Sequence, residues 1–219
     1  MSAAVPLPAQ PEPRSPHDDG RVTEATRRRL TARQAQVVAE LVSAASDEVA
    51  EVGYDGVTVR AVARRAGVAP ATAYHYFSSK DHLLAEVLWR HLRDLPQVEA
   101  DGRPVAERLE EAVGGIVRFA AASPGRAEAC TVALLGSNPD VRHLRDRIGA
   151  DVHRRIATVL GPGADRQLVR VLETSYFGAL LMAGMGHVSY LDVPAFVASA
   201  AERMLEGAAH PRRPEDGEQ

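Results

Sequence analysis

The amino-acid sequence predicts an all-α protein of about nine helices, with an N-terminal three-helix domain followed by a larger helical C-terminal domain. Apolar residues recur at steps of three and four in the first periodic segment, at Val38, Leu41, Val42, Ala45, Val49 and Val52. Glycines and prolines stand where the periodic segments end. The sequence shows neither the apolar–polar alternation of a half-buried strand nor an Asn-Gly hairpin signal.

Capping and breaking signals set the predicted helix boundaries. Thr58 is a good N-cap residue, and Pro70 suits the first position of a short helix, where its missing N–H needs no partner. Gly53 suits a helix C-terminus, and Pro96 ends the fourth helix. The predicted helices cover residues 31–52, 58–66, 70–76, 79–95, 104–122, 125–135, 138–160, 165–188 and 194–207.

Composition divides the chain into four predicted segments. Residues 1–30 form a tail that is expected to be disordered, because a proline-rich, polar segment cannot bury enough apolar surface to offset ordering. Residues 31–80 form the N-terminal domain and residues 81–209 the C-terminal helical domain. Residues 210–219 are a polar C-terminal tail.

The overall composition is ordinary for a globular protein, with 219 residues of which 45% are hydrophobic and 25% charged. The single cysteine, Cys130, excludes an internal disulfide framework and fits a reducing cytoplasm. The formal net charge is −3. Residues 21–80 nevertheless hold nine basic residues against six acidic ones, so the basic bias is local and modest.

Two features bear on membranes and secretion. The stretch 174–191 is uncharged and reaches the length of a membrane span, but it contains three glycines and several polar residues. A buried helix is therefore the better interpretation, and no membrane association is expected. Residues 1–20 carry five prolines and no continuous apolar run, so they do not form a signal peptide, and a cytoplasmic protein is expected.

Residues 58–66 and 70–76, separated by a turn at Gly67, have the dimensions of a helix-turn-helix. The second helix must dock inward on one side and present its other side to a DNA major groove, which is wide enough to admit a helix. Ala73 and Phe77, four residues apart, form the predicted inward face. The outward residues are Pro70, Ala71, Thr72 and His75.

The segment 58–68, TVRAVARRAGV, followed by TAYHYFSSK at 72–80 and DHLL at 81–84, resembles the DNA-binding domain of the tetracycline-repressor (TetR) family. The pattern joins a Thr-capped helix, a Gly-Val turn, a Thr-x-Tyr-x-aromatic-Phe core and a closing lysine, which here is the only lysine of the chain. Beyond it, the chain resembles the family in being helical and of the right length. The resemblance implies a DNA-binding transcription regulator that acts as a homodimer.

The resemblance also assigns roles within the helix-turn-helix. It implies phosphate contacts at Thr58, Thr72, Tyr74, Tyr76 and Lys80. It implies approach to base edges by Pro70, Ala71 and His75. Phosphate contacts set register and salt-dependent affinity, whereas base contacts set specificity. Packing aromatics are the alternative for the two tyrosines and a solvated side chain is the alternative for His75, while Arg64 and Arg65 are expected on a solvated face.

Two residues depart from the family pattern. Ala69 stands where the family usually has a serine that caps the recognition helix, and the loss of such a cap costs roughly 1 kcal/mol. Pro70 partly compensates, because its ring presets its own backbone dihedral. Ala73 is smaller than the usual leucine or isoleucine, so a neighbouring side chain must fill the space.

Residues 165–188 are apolar nearly all round, so both sides of this helix must be covered. The core of one subunit covers one side and a second subunit is the natural cover for the other; complete burial within one subunit is the alternative. The resemblance likewise implies that the last two helices form the dimer interface. The interface candidates are Leu172, Ser175, Ala179, Met182, Phe196, Ala200 and Met204.

The resemblance implies that the helices between these two regions enclose an effector pocket. The candidate lining residues are Trp89, Phe119, Cys130, Leu134, Tyr176, Phe177 and Met185. Such a lining predicts a mainly apolar effector. Plain core packing is the alternative role for each of these side chains.

Together these features predict a repressor that binds a palindromic operator in double-stranded DNA as a homodimer and is released by a small, mainly apolar effector. No cofactor and no metal are expected. The alternatives are an activator of the same fold and a ligand-independent DNA-binding or architectural protein. An enzyme is not expected, because the sequence has no phosphate-cradling glycine loop, no nucleophile elbow and no His-Glu-x-x-His metal motif.

Overall fold

The computed structural model describes residues 31–209, with the side chains of residues 207–209 left out. The predicted tails, residues 1–30 and 210–219, lie outside the described residues. The described chain contains ten α-helices and one 3₁₀ turn, and no strand. The elements are α1 (Ala32–Gly56), α2 (Val59–Arg65), α3 (Pro70–Tyr76), α4 (Lys80–Arg93), α5 (Val105–Val113), α6 (Gly115–Ala122), α7 (Pro124–Leu134), α8 (Pro139–Leu160), α9 (Arg166–Gly184), the 3₁₀ turn (Tyr190–Asp192) and α10 (Val193–Ala209).

Local signals account for both ends of α1. Its first turn is a capping box, in which the Thr31 hydroxyl accepts from the Gln34 N–H (3.3 Å) and the Gln34 side chain accepts from the Thr31 N–H (2.8 Å). Near its C-terminus Gly53 adopts a φ of 69°, which interrupts the helix where the sequence predicts a terminal glycine. Between these points the apolar stripe predicted from the sequence is buried as far as Val49, whereas Val52, its last member, is 46% exposed beside the break at Gly53.

The prediction of one continuous helix over residues 104–122 is wrong. α5 ends at Val113 and α6 begins at Gly115, with Gly114 between them. A Cβ at Gly114 would lie 2.6 Å from the Glu110 carbonyl oxygen, and a Cβ at Gly115 would overlap the Leu95 side chain. The glycine pair therefore weakens the helix and permits a close approach to the end of α4, which a continuous helix with side chains there would not allow.

The helix predicted over 165–188 ends earlier, at Gly184. Gly186, with a φ of 76°, then turns the chain into the 3₁₀ segment. Tyr190 in this segment is buried, and its hydroxyl lies 3.0 Å from Thr131 Oγ1 on α7, which fixes the turn against the core. Across residues 31–209, every helix is too short or too polar to span a bilayer.

α4 is the central element of the described chain. α1 packs against α7, α4 and α2, so the N-terminal three helices (α1–α3) are held mainly through α1. α4 also packs against α7 and α8, α9 packs against α8, and α10 packs against α5 and α9. A continuous hydrophobic core runs through these contacts from α1 to α10.

The C-terminus of α4 is fastened by a buried arginine of α8. The Arg155 guanidinium donates to the backbone carbonyls of Leu92 (2.9 Å), Leu95 (3.1 Å) and Pro96 (2.8 Å). Its Nε donates to Asp151 Oδ2 at 2.6 Å, and both side chains are almost fully buried. The positive charge thus lies at the negative end of the α4 dipole and donates to its terminal carbonyls, and Asp151 neutralises it.

Replacing Arg155 with leucine is expected to lower the free energy of unfolding by about 3 kcal/mol, because the buried Asp151 keeps only the exposed Arg154 as a partner and three carbonyls at the end of α4 lose this donor. Denaturant unfolding followed by circular dichroism measures the change. Arg142→Leu is the matched control, since Arg142 is exposed on the same helix and should change stability by less than about 0.5 kcal/mol. Equal stability of the two variants would contradict this role for Arg155.

Candidate nucleic-acid interface and ligand cavity

The helix-turn-helix places α3 with one side docked and the other exposed. Ala73 and Phe77 are fully buried, as the predicted inward face requires. Tyr74 is 54% exposed, the largest exposed side chain of α3. No side chain caps the α3 N-terminus at Ala69, which confirms the missing cap, and Pro70 occupies the first turn. The exposed residues of α3 are Pro70, Ala71, Tyr74 and His75.

The remaining candidate DNA contacts are half-buried or already have partners within the chain. The Thr58 hydroxyl accepts from the Ala61 N–H at 3.1 Å, so Thr58 caps α2 while its side chain remains at the surface. Thr72 is half-buried, and Tyr76 is half-buried against the core. The Tyr76 ring meets the His75 ring edge-on, with centroids 5.2 Å apart, which supports the exposed histidine from one side.

Lys80 is held against the end of α1. Its ammonium donates to the Tyr54 carbonyl (2.8 Å) and lies 3.9 Å from the centroid of the Tyr54 ring. The Tyr54 hydroxyl donates to Asp81 Oδ1 at 2.7 Å, and this hydrogen bond, together with burial, raises the pKa of Tyr54 to about 12. An ammonium has three donors, so this contact orients Lys80 and leaves capacity for a phosphate.

Arg64 and Arg65 differ in what they contact. Arg64 is exposed, as the sequence predicts for both. Arg65 instead bridges α2 to α1, with Nε 2.7 Å from Glu48 Oε2 and both terminal nitrogens hydrogen-bonded to Glu51. The hydrogen bond with Arg65 lowers the pKa of Glu51. Sequence reasoning missed this bridge, because nothing in the local pattern links residues 14 positions apart on different helices.

A polar cluster joins the N-terminal three helices to α8; we call it the interdomain joint (Ser78, His82, Asn138 and Asp140). The Ser78 hydroxyl donates to Asp140 Oδ2 at 2.6 Å and accepts from the Asn138 amide at 3.2 Å. His82 is 2% exposed; its Nδ1 accepts from the Ser78 N–H (3.3 Å) and lies 3.8 Å from Asp140 Oδ2. The His82 ring also packs edge-on against Phe77, the residue that docks α3.

A cavity of about 760 Å³ lies between α4, α6, α7, α8 and α9. Its wall is mainly apolar. The lining residues are Leu88, Leu92, Ile116, Thr131, Leu134, Leu135, Arg145, Asp146, Ile148, Gly149, Ala150, Glu173, Thr174, Tyr176, Phe177, Gly178, Leu180 and Leu181. Three residues predicted to line a pocket, Leu134, Tyr176 and Phe177, belong to this wall.

The other four predicted lining residues lie elsewhere. Trp89 packs under the Arg147 guanidinium, which lies 4.6 Å from its ring centroid. Phe119 packs under the Arg126 guanidinium, at 4.5 Å. Neither ring belongs to the wall of this cavity. Cys130 is fully buried in the core, and Met185 is 53% exposed. The periodicity that marks an apolar helix face does not distinguish close packing from a cavity wall, so the sequence alone could not separate these groups.

Polar groups gather at the mouth of the cavity. The Arg145 guanidinium donates to the Leu134 carbonyl at 2.7 Å, and the Glu173 carboxylate hydrogen-bonds to His153. Asp146 is exposed beside them. Farther in, burial raises the pKa of the Tyr176 hydroxyl, so this group stays a neutral hydrogen-bonding partner at any physiological pH. The mouth therefore carries charges of both signs above an apolar interior.

The interface candidates divide by exposure. Met182, Phe196 and Met204 are 41%, 51% and 38% exposed. Ser175, Ala179 and Ala200 are half-buried. Leu172 is fully buried within the protomer, so it has no surface left for a partner, contrary to its place in the predicted interface. The outward side of α9 presents Phe177, Leu181 and Met185 instead.

Comparison with known proteins places this architecture in a family. The model of the bacterial regulatory proteins of the tetR family matches residues 41–87, from the middle of α1 into α4. Rv0767c of Mycobacterium tuberculosis, described as an uncharacterised HTH-type transcriptional regulator, is 42% identical over 181 residues, which is 82% of this chain and 85% of the relative. The chain belongs to the TetR family. It is a DNA-binding transcription regulator and not an enzyme, as the sequence predicts.

Further relatives agree with this assignment to the TetR family. The transcriptional repressor KstR of Rhodococcus jostii is 32% identical over 169 residues, 74% of this chain and 79% of the relative. A TetR regulator from Rhodococcus sp. RHA1 superposes with a TM-score of 0.65 at 21% identity, over 79% of this chain and 97% of that one. FadR of Bacillus subtilis in complex with stearoyl-CoA superposes with a TM-score of 0.53 at 21% identity, over 77% and 98%. The two structures show the common fold and confirm the all-α prediction.

Cys130 provides a check on the boundary between core and cavity. Burial raises the pKa of its thiol to about 12, and the thiolate is the reactive form, so iodoacetamide at pH 8 should leave native protein unlabelled. Mass spectrometry measures the labelled fraction, and the same reaction in denaturant provides the positive control. Rapid labelling of native protein would show that Cys130 faces an open space, as the sequence predicts for a pocket residue.

Proposed function

We propose that this TetR-family regulator is a cytoplasmic repressor that binds a palindromic operator as a homodimer and is released by a small, mainly apolar effector. The proposal rests on the placement of α3. This helix is docked through Ala73 and Phe77, and its other side exposes uncharged residues and His75. The 32% identity to a repressor supports repression rather than activation.

The DNA contacts divide into two groups in this proposal. The residues that lie toward the phosphates are Thr58, Thr72, Tyr74, Tyr76 and Lys80. Pro70, Ala71 and His75 enter the major groove. Since the groove-facing residues offer few polar groups, direct base reading is sparse and DNA shape and half-site spacing supply the remaining specificity.

Selection of bound sequences from a random double-stranded library tests the function directly. The full-length chain should enrich an inverted repeat whose half-sites lie about one DNA turn apart, or a multiple of it, because a two-fold dimer holds its recognition helices at that spacing. Enrichment of single half-sites would contradict the dimeric mode of binding. Absence of any enriched sequence would overturn the proposed function.

His75→Ala should relax the sequence preference at one position in each half-site, at a cost of about 1–3 kcal/mol for the preferred base. The relaxed position appears when a saturation library of the selected operator is bound by both proteins. His153→Ala provides the control, since His153 is exposed on α8, several turns beyond the interdomain joint. Identical preference profiles for wild type and His75→Ala would place this histidine in solvent or at a phosphate.

The cavity is the proposed effector site. Its volume of about 760 Å³ lies within the range of small-molecule pockets, and its wall is dominated by aliphatic and aromatic side chains. FadR of Bacillus subtilis was crystallised with stearoyl-CoA, so this fold accommodates ligands with long apolar parts. The polar groups at the mouth suit an effector with hydrogen-bonding groups at one end.

α4 provides the proposed route from cavity to DNA. Leu88 and Leu92 of α4 line the cavity, while α8 forms its opposite side. α8 also holds both ends of α4, through the interdomain joint at one end and Arg155 at the other. A ligand that separates the middle of α4 from α8 therefore acts on the joint, and the joint carries Phe77 and the docked α3.

Asp140→Ala is expected to weaken operator binding by about 0.5–2 kcal/mol, a roughly two- to thirty-fold loss, because the joint no longer restrains α3. Titration of fluorescent operator DNA measures the loss, and circular dichroism verifies the fold. Glu202→Ala on α10, an exposed carboxylate far from the joint, is the control. Unchanged affinity in a folded Asp140→Ala protein would exclude the joint from the route.

A further inference from the structure

The wall of the cavity contains the guanidinium of Arg145, at the mouth. Arg145 is half-buried on α8, and its Nη1 donates to the Leu134 carbonyl at 2.7 Å. Among the described residues this carbonyl is its only hydrogen-bond partner, and no carboxylate pairs with it. Nε and Nη2 share the other edge of the guanidinium, so two parallel N–H donors remain for a ligand.

The two carboxylates of the wall are in different environments from this guanidinium. Asp146 is exposed, so water solvates its charge. Glu173 is half-buried and already hydrogen-bonds to His153 of α8. A negative charge that enters the cavity therefore gains most at Arg145, because this cation has lost part of its hydration and has no anionic partner among the described residues. A positive charge finds one carboxylate engaged and the other in water.

Beyond the mouth, the wall is formed by apolar side chains such as Leu88 of α4 and Ile116 of α6. The Thr131 hydroxyl in this wall is already engaged, because it donates to the Ala127 carbonyl at 2.9 Å and lies 3.0 Å from the Tyr190 hydroxyl. The interior therefore suits a hydrocarbon chain or a ring system, and the charged group of the same molecule is best placed at the mouth.

We propose that the effector is an amphipathic anion, whose carboxylate or phosphate oxygens accept two hydrogen bonds from Arg145 while its apolar part fills the interior. The inference rests on the proposed effector site, and it adds the charge of the effector and the residue that recognises this charge. A guanidinium is suited to the role, because its planar fork matches the geometry of both kinds of oxyanion.

An anion at Arg145 also acts on the end of α7. Arg145 holds the last carbonyl of α7, and the chain continues directly into Gly136. A Cβ at Gly136 would lie 3.2 Å from Asp81 Oδ2, so the end of α7 closely approaches the first turn of α4. Asp81 accepts from the Tyr54 hydroxyl, and the Tyr54 carbonyl holds Lys80. An anion that draws the guanidinium away from α7 therefore alters the support of Lys80, the proposed phosphate ligand.

Two matched pairs of probes test the proposal without knowledge of the effector. Anilinonaphthalene sulfonate is compared with phenylnaphthylamine, which has the same rings without the anionic group. Decanoate is compared with decanol, which has the same chain length and no charge. Fluorescence titration gives the dissociation constants of the first pair, and displacement of a bound probe gives those of the second. Decyl phosphate, measured beside decanoate, distinguishes a phosphate from a carboxylate as the preferred head group.

Arg145→Gln should weaken the binding of each anion about tenfold and change the binding of its neutral counterpart by less than about twofold. Glutamine removes the charge but retains an N–H donor for the end of α7. Arg145→Lys should keep part of the anion affinity, since it keeps the charge and lacks the planar fork. Arg142→Gln is the matched control, because Arg142 is exposed one turn away on α8 and lies outside the cavity wall.

An equal loss of anionic and neutral probes in Arg145→Gln would overturn the proposal, because Arg145 would then only support the end of α7. Tighter binding of decylamine than of decanoate to the wild-type chain would overturn it as well, and so would an absence of binding by every probe. Operator selection is carried out without ligand, so none of these results decides whether the chain binds DNA. A chain that binds anions through Arg145 and selects no operator would instead retain the anion site and overturn the proposed function.

Discussion

The position of α4 depends on one buried guanidinium. Arg155 donates to three backbone carbonyls at the end of α4 and to Asp151 on its own helix, in a region from which water is largely excluded. Because one side chain makes all of these hydrogen bonds, α4 cannot slide along α8 without losing several of them at once. Because α4 also begins at the interdomain joint, its two ends are fixed to the same helix, α8.

This two-point attachment explains how an apolar cavity can influence a polar, DNA-reading surface. Leu88 and Leu92 lie between the two attachments and line the cavity. In the proposed route, a ligand displaces these apolar contacts more easily than the hydrogen bonds at the two ends of α4. In the same proposed route, a displaced centre of α4 turns the helix about Arg155 and transmits the displacement to Ser78 and Asp140. The joint is suited to respond because its hydrogen bonds are directional and weaken steeply when the donor and acceptor are displaced.

The sequence predicts most of the helix-turn-helix because its determinants are local. The Thr58 cap and Pro70 in the first turn of α3 depend on only a few neighbouring residues, and the structure has both. Gly53 interrupts α1 where the sequence predicts its end, but the helix continues to Gly56. What the sequence could not show depends on distant pairs. Arg155 and Asp151 look like surface charges on a polar helix face, yet they are buried because of backbone carbonyls some sixty positions away. The close approach of Leu95 to Gly115, beside the break between α5 and α6, depends in the same way on a distant residue.

α9 shows where periodicity alone reaches its limit. The sequence correctly predicts a helix with apolar residues on nearly all sides, but three environments share those sides: the protomer core at Leu172, the cavity at Tyr176 and the exposed surface at Met182. All three favour the same apolar side chains, so composition cannot distinguish them. Exposure in the folded chain does distinguish these environments. It shows that the cavity wall and the exposed surface meet at Phe177 and Leu181. A substitution at either position therefore changes both surfaces, whereas one at Met182 changes only the exposed surface, and this difference is what separates a ligand effect from an assembly effect.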